Sequence, residues 1–449
     1  MKNYIMFEDG EIVLIKDFNK VFPLTMSKTD ILRVDICKFI VNKYYKLVIN
    51  TLEWKILINL LSLRSKKIDI ITSLVLISKT KKIKTISTDF IDVDFKQLFG
   101  YEIEILNKSF TCSFIDKSQF INAIIKFFIN KLFRVLKKKK VSNNPCVVRT
   151  WTEHDIGLHK DVFYSSCVYI YPFGINLRRS FNFIKKCFEE NSDVTLMGVP
   201  YSFNKLIKIF FSKDKIKDLL LLEYEIDAMK KHGKDFIKFE TIYTSDEFLP
   251  AVPVLYNELI QQRKSVINIA HGMGMLNPYN IYTKFKLVNE LQKRFYENFD
   301  QNIEYSVYRE DSIKETHINE KLETVFVFIH QNFYAYDFLY EESLQQIILS
   351  KLNNYNLKKV YIKLHPNIKK EEKDKIFLNY KNLKEIKTFD LNLNNYIFFA
   401  IQSSAYYDFR KYGQFLFIED ELFKPTNYFT NIKTININKL DDFMKNDME

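Results

Sequence analysis

Cysteine, tryptophan, glycine and proline are all scarce in this sequence, and each scarcity removes a class of protein. The 449 residues include 5 Cys, 2 Trp, 9 Gly and 9 Pro. So little glycine and proline beside 47% hydrophobic residues excludes a fibrous or disordered chain. Cys37, Cys112, Cys146, Cys167 and Cys187 form no Cys-x-x-Cys pair. Neither a disulfide framework nor a zinc cluster is expected from them. Long apolar runs are missing too. The greasiest stretch, residues 120–136, is interrupted by Lys126, Lys131 and Arg134, whereas a membrane span needs ~18 uninterrupted apolar residues. Glu8 and Asp9 stand where a signal peptide would carry its apolar core, which argues against export. A cytoplasmic chain of two or three domains, at ~100–200 residues each, is the expectation.

What the chain has in excess is positive charge and aromatic side chains. There are 67 Lys+Arg against 55 Asp+Glu, a formal net charge of +12. Such a balance favours anionic partners: nucleotide phosphates, acidic glycans or an anionic leaflet. The 41 Phe and 27 Tyr, with abundant Lys, Asn and Ile, fit AT-rich coding. Residues 1–145 mix expected strands (11–15, 68–77, 82–86) with helical spacing over 30–63, and they carry no glycine-rich phosphate loop. From Phe120 the apolar residues recur at helical spacing and end in Lys137-Lys138-Lys139-Lys140. Residues 120–140 therefore read either as a core helix whose lysines suit its C-terminus or as a helix that docks on an anionic membrane surface from the cytoplasmic side.

After a break at 142–145 the chain alternates. Strands are expected at 166–171, 194–198, 239–243 and 265–270, and helices at 177–190, 202–211, 215–231 and 249–262. A polar connector, 305–323, precedes a second run with strands at 324–329, 359–364, 396–402 and 414–418 and a helix at 341–352. The fold class is therefore α/β, with two Rossmann-like domains, 146–310 for the acceptor and 311–449 for the nucleotide donor, facing a cleft. An N-terminal α/β segment, 1–145, is assigned to the acceptor side.

Three strands end in small or polar residues. In Asn268-Ile269-Ala270-His271-Gly272-Met273-Gly274, an imidazole able to take a proton is followed by Gly272 and Gly274, which permit close approach. In Lys363-Leu364-His365-Pro366 the proline restricts His365 to an extended backbone, so that its side chain projects from the strand end. Ser403 and Ser404 place hydroxyls and amides where a helix begins, an arrangement that binds phosphate or simply caps the helix. Lesser candidates are Glu153, His154 and Asp155 in the loop after Trp151, and Asp246 at a strand end beside the His271 strand; all four are expected at the acceptor. His154 and His159 lack the further ligands of a zinc site. Asp92-Val93-Asp94 mimics a metal-binding Asp-x-Asp and reads more simply as a half-exposed strand. Asp408 reads as a helix-surface residue.

In combination, over roughly residues 239–418, these elements resemble bacterial surface-polysaccharide transferases of the GT-B fold that use cytidine-activated donors. These are the sialyl- and polysialyltransferases and the teichoic-acid glycerophosphotransferases. Lys363-Leu364-His365-Pro366 and Ser403-Ser404 match the sialyltransferase phosphate site, and Phe328-Ile329-His330-Gln331 is similar to the strand that opens their donor domain. Where those enzymes have an acidic-acidic-Gly motif, this chain has Ala270-His271-Gly272, closer to the His-Gly-Thr of the glycerophosphotransferases. The resemblance implies an inverting, metal-independent glycosyltransferase of capsule or lipooligosaccharide synthesis. It implies His271 as general base, with Gln331, His365, Pro366, Ser403, Ser404, Gly272 and Gly274 around a cytidine nucleotide. It also implies a glycan or glycolipid acceptor, and neither metal nor cofactor. Transfer of a polyol phosphate from a CDP-polyol is the alternative chemistry. A non-enzymatic protein that binds nucleic acid or an anionic surface is a third reading, but the chain lacks an interleaved aromatic-basic motif.

Overall fold

The structure is a computed structural model that describes residues 3–24, 29–107, 113–115, 117–135, 144–151, 157–171, 177–190, 193–272, 277–308, 322–333, 338–355, 360–366, 368–389 and 394–446. It forms two compact units. A central unit comprises Ile31–Ile71 and Thr88–Tyr308; a C-terminal unit comprises Met1–Asp30, Thr72–Ser87 and Arg309–Glu449.

The central unit is built on seven parallel strands in the order Glu304–Val307, Lys284–Leu287, Ser265–Ile269, Thr241–Thr244, Cys146–Thr150, Cys167–Ile170, Val194–Leu196. The chain starts in the middle at Cys146–Thr150, winds outward to Val194–Leu196, then returns to Thr241–Thr244 and winds the other way. Cys146–Thr150 and Thr241–Thr244 therefore flank the point where strand order reverses, and loops at the carboxyl ends of such a pair form a ligand crevice. Cys167–Ile170 and Val194–Leu196 are buried at every residue. Both of their faces are covered by helices, as in parallel sheets generally.

The C-terminal unit repeats this plan with six parallel strands in the order Lys384–Glu385, Val360–Lys363, Glu323–Ile329, Asn394–Ala400, Gly413–Glu419, Lys433–Asn436. Its reversal lies between Glu323–Ile329 and Asn394–Ala400. At Gly413 a Cβ would fall 2.0 Å from the Tyr396 carbonyl, so only glycine lets these two neighbouring strands pair there.

The N-terminal segment, expected on the acceptor side, divides between the two units. Tyr4–Phe7 pairs antiparallel with Ile12–Leu14 and Ile83–Ser87 in the C-terminal unit, where Phe18–Val21 packs on the helix Leu339–Asn354. Leu52–Arg64 packs on the helices Asp214–Gly233 and Val252–Gln261 of the central unit. Asn59 ties it there, donating to the Pro250 and Tyr279 carbonyls at 3.2 and 2.7 Å. Short amphipathic pieces with no core between them bury their apolar faces on whichever sheet's helices lie nearest.

Other expectations are also corrected. Residues 68–77 lie in the helix Lys66–Ile77, because Ile68, Ile71, Leu74 and Val75 are buried at helical spacing, which outweighs their β-branched character. Asp92 is not in a strand. It caps the 3-10 helix Val93–Leu98, accepting from the Asp94 amide at 3.0 Å and the Tyr44 hydroxyl at 2.8 Å, while Asp94 pairs with Lys43. The connector expected from 305 opens as the edge strand Glu304–Val307. Cys37, Cys146, Cys167 and Cys187 are free thiols. Among the described residues no helix is long and apolar enough to cross a membrane.

Candidate functional site

At the central unit's strand-order reversal, Thr244-Ser245-Asp246-Glu247 leaves its strand fully buried. A buried carboxylate needs compensation, and Asp246 is saturated with it. Its Oδ2 accepts from the Arg149 guanidinium and from the Tyr256 hydroxyl at 2.7 Å, and its Oδ1 accepts from the Tyr282 hydroxyl at 3.2 Å. Its amide donates to Asn268 Oδ1 at 3.1 Å. Arg149 is itself buried, its guanidinium 3.7 Å from the centroid of the Tyr171 ring. The expectation that Asp246 touches an acceptor is therefore corrected: it is an internal ion pair that holds two strand ends together.

Its neighbour Glu247 was missed. One carboxylate oxygen accepts the His271 backbone amide and the other accepts Asn268 Nδ2 at 3.2 Å. Burial pushes this carboxyl up to about 7, with the His271 charge and the surrounding amides opposing the rise. The signal was present in sequence: two adjacent acids end the strand that pairs with the His271 strand.

His271 is half-buried and held by aromatic rings. Trp151 stacks on it at 5.3 Å and 25°, and Phe248 meets it edge-on at 5.8 Å. The Gly272 carbonyl accepts Gln292 Nε2 at 2.7 Å. Among the described residues, a Cβ at Gly272 would meet no atom within 4 Å. His159 is no solvated loop residue: buried, its Nε2 lies 3.0 Å from the Thr244 carbonyl and 3.1 Å from Ser245 Oγ, anchoring the strand end from below. Gly274, Glu153, His154 and Asp155 lie outside the described residues.

In the C-terminal unit, three loops leave adjacent strands spaced ~4.8 Å apart. His330 follows Glu323–Ile329, and its amide donates to the Lys363 carbonyl at 3.0 Å. Buried Gln345 clamps the next residue, accepting from the Gln331 amide at 2.8 Å and donating to the Gln331 carbonyl at 2.9 Å. That clamp orients the Gln345 amide, whose nitrogen lies 3.2 Å from His330 Nε2. The same amide nitrogen donates to Glu342 Oε2 at 3.1 Å. His330 is pushed down to about 4 by burial and by nearby His365, and is neutral near pH 7. Its Nδ1 has no hydrogen-bond partner among the described residues, and neither has Asn332 Oδ1 nor either carboxylate oxygen of buried Glu341.

His365 is half-buried, its carbonyl accepting from the Ile368 amide at 3.1 Å to close a turn through exposed Pro366. Ser403 is buried and its hydroxyl accepts from the Ala405 amide at 3.2 Å, whereas Ser404 is exposed. Both serines precede a single helical turn, Tyr406–Phe409, on which Asp408 is exposed. The topology thus brings His330, Gln331, His365, Ser403 and Ser404 to one sheet edge.

No protein-family model and no curated protein matches the sequence. Solved structures do. UDP-GlcNAc 2-epimerase from Neisseria meningitidis, bound to UDP-GlcNAc, is 12% identical over 67% of this chain and 90% of that one, with TM-score 0.37. MurG from Acinetobacter baumannii is 9% identical over 68% and 90%, with TM-score 0.38. The E. coli heptosyltransferase WaaC is 9% identical over 67% and 99%, with TM-score 0.28. These scores add nothing to the functional argument, which rests on the residues at the strand ends.

Proposed function

We propose that the protein is a glycosyltransferase that moves a sugar, sialic-acid-like in the favoured case, from a cytidine-nucleotide donor to a hydroxyl of a glycan or glycolipid. The transfer inverts the anomeric centre and needs no metal. The observation that carries this is His271, an imidazole gripped by Trp151 and Phe248 with the Glu247 carboxyl bonded to its own backbone amide. His271 takes the proton of the acceptor hydroxyl as that oxygen attacks the anomeric carbon, and the bond from that carbon to the phosphate oxygen breaks. Glu247, too buried to meet the acceptor, fixes the position of the His271 backbone and offsets the charge of the imidazolium formed. Charge growing on the leaving phosphate is met by His365 and by the hydroxyls of Ser403 and Ser404.

Attack at phosphorus on a CDP-polyol would use the same base, so product analysis has to separate the two chemistries. The test is a thermal-shift comparison of CMP, CDP, UDP and GDP, followed by assay with the corresponding activated donors. A nucleotide at 100 times its dissociation constant raises stability by about 2.7 kcal/mol. Selective stabilisation by CMP with release of CMP on turnover is the expected outcome; stabilisation by UDP or GDP alone would refute the cytidine assignment.

A further inference from the structure

The helix Lys117–Val135 is apolar on two opposite faces. Ala123, Phe127 and Phe133 are buried on one. On the other, at about 100° per residue, Phe128, Leu132 and Val135 fall within a single narrow stripe, and all three are exposed, Phe128 by 58%. Only the inner of these two faces lies in the core. The expectation of a plain core helix therefore accounts for one face and leaves the other.

A second helix lies beside it. Phe203–Phe211 packs against Lys117–Val135, with the Phe127 and Phe203 rings 5.4 Å apart. The two are locked through Asn130, whose side-chain oxygen accepts the Val199 amide at 2.7 Å, just before the second helix begins. Its inner side buries Leu206 and Ile209, while Ile207, Phe210 and Phe211 face outward, Phe210 65% and Phe211 82% exposed. Adjacent phenylalanines this exposed are unusual on a surface that meets only water.

The surroundings of the patch carry positive charge. Lys131, Arg134, Lys208 and Lys213 are exposed on or beside the two helices. Lys137 to Lys140 follow the first helix directly in sequence. Next to the second helix a cavity of about 400 Å³ is lined by Arg134, Tyr201, Ser202 and Lys231, with Asp235 the single acid. Two such cationic faces would repel one another, which disfavours a second copy as the occupant. Apolar residues ringed by lysine and arginine instead complement a leaflet whose hydrocarbon lies just beneath anionic headgroups.

We propose that this two-helix face docks the central unit on an anionic phospholipid surface, with Phe128, Phe210 and Phe211 entering the headgroup boundary and Arg134 and Lys231 receiving a headgroup phosphate. The proposal stands on the surface itself and not on the transferase reading. Its test is co-sedimentation of the full chain with vesicles of phosphatidylglycerol and phosphatidylcholine, against phosphatidylcholine alone. The wild type is expected to bind the anionic vesicles and to leave them as salt is raised. The double substitution Phe210→Asp, Phe211→Asp removes only exposed side chains; it should keep the wild-type melting temperature and lose binding by at least about tenfold. Phe128→Asp, on the other helix, should do the same. Wild-type protein that ignores anionic vesicles, or substituted protein that binds them as well, overturns the proposal. So does a wild-type dimer that the double substitution splits, since the face would then belong to a second copy. Vesicle binding requires no turnover, so its failure leaves the proposed transfer chemistry untouched.

Discussion

The two parallel sheets wind in the same order about a central reversal, yet they bury different groups there: a charged acid–arginine pair in the central unit and a neutral histidine in the C-terminal unit. In the central unit, Asp246 is saturated by Arg149, Tyr256 and Tyr282, and Glu247 is held by His271 and Asn268. In the C-terminal unit, His330 is buried, and burial together with nearby His365 keeps it neutral. A satisfied polar network is rigid and holds one geometry, which suits a residue that must move a proton at a fixed place. Similar topology thus holds a buried ion pair in one sheet and a buried neutral histidine in the other.

The strongest way to break this division is His271→Ala. It should lower turnover ~10²–10⁴-fold, measured by product release at saturating donor, with nucleotide affinity by calorimetry unchanged. A loss of nucleotide affinity instead would show that the imidazole belongs to donor binding. Next in size is Asp246→Ala, which strands Arg149 in the core and should cost about 3–5 kcal/mol in urea unfolding. A change under ~1 kcal/mol would mean that the central reversal is not held by charge at all. His365→Ala should weaken nucleotide binding by about 1.5–3 kcal/mol, roughly 10–100-fold. Full affinity in that variant would remove this sheet edge from the donor.

The smallest effect concerns a buried acid of the C-terminal unit. Glu341 is raised from its ordinary 4.5 to about 7, chiefly by burial and further by Asp420. The folded form therefore holds this proton more tightly than the unfolded chain, and stability falls as pH rises from 4.5 through 7. Glu341→Gln should raise stability by about 1–2 kcal/mol near pH 8 and change little near pH 5, flattening the profile of melting temperature against pH. An unchanged profile would place the Glu341 carboxyl in contact with solvent.

His271, His365 and Ser403-Ser404 were legible in the sequence because an apolar run followed by small or polar residues marks a strand end whatever the strand's neighbours are. Glu247 was not singled out, since an acid at a strand end is usually solvated. Only the pairing of Thr241–Thr244 with Ser265–Ile269 sets it against the His271 amide.

By itself the sequence determined the alternating α/β plan and the strand ends that carry histidine and serine, because hydrophobic period and turn residues are local properties. Tertiary structure alone decided that residues 1–145 split between two units, that 68–77 is helix, that Asp246 is an internal ion pair, and that one face of Lys117–Val135 stays exposed beside Phe203–Phe211. Each of these depends on which distant surface a segment buries, and burial is settled by packing between elements, which no local pattern encodes.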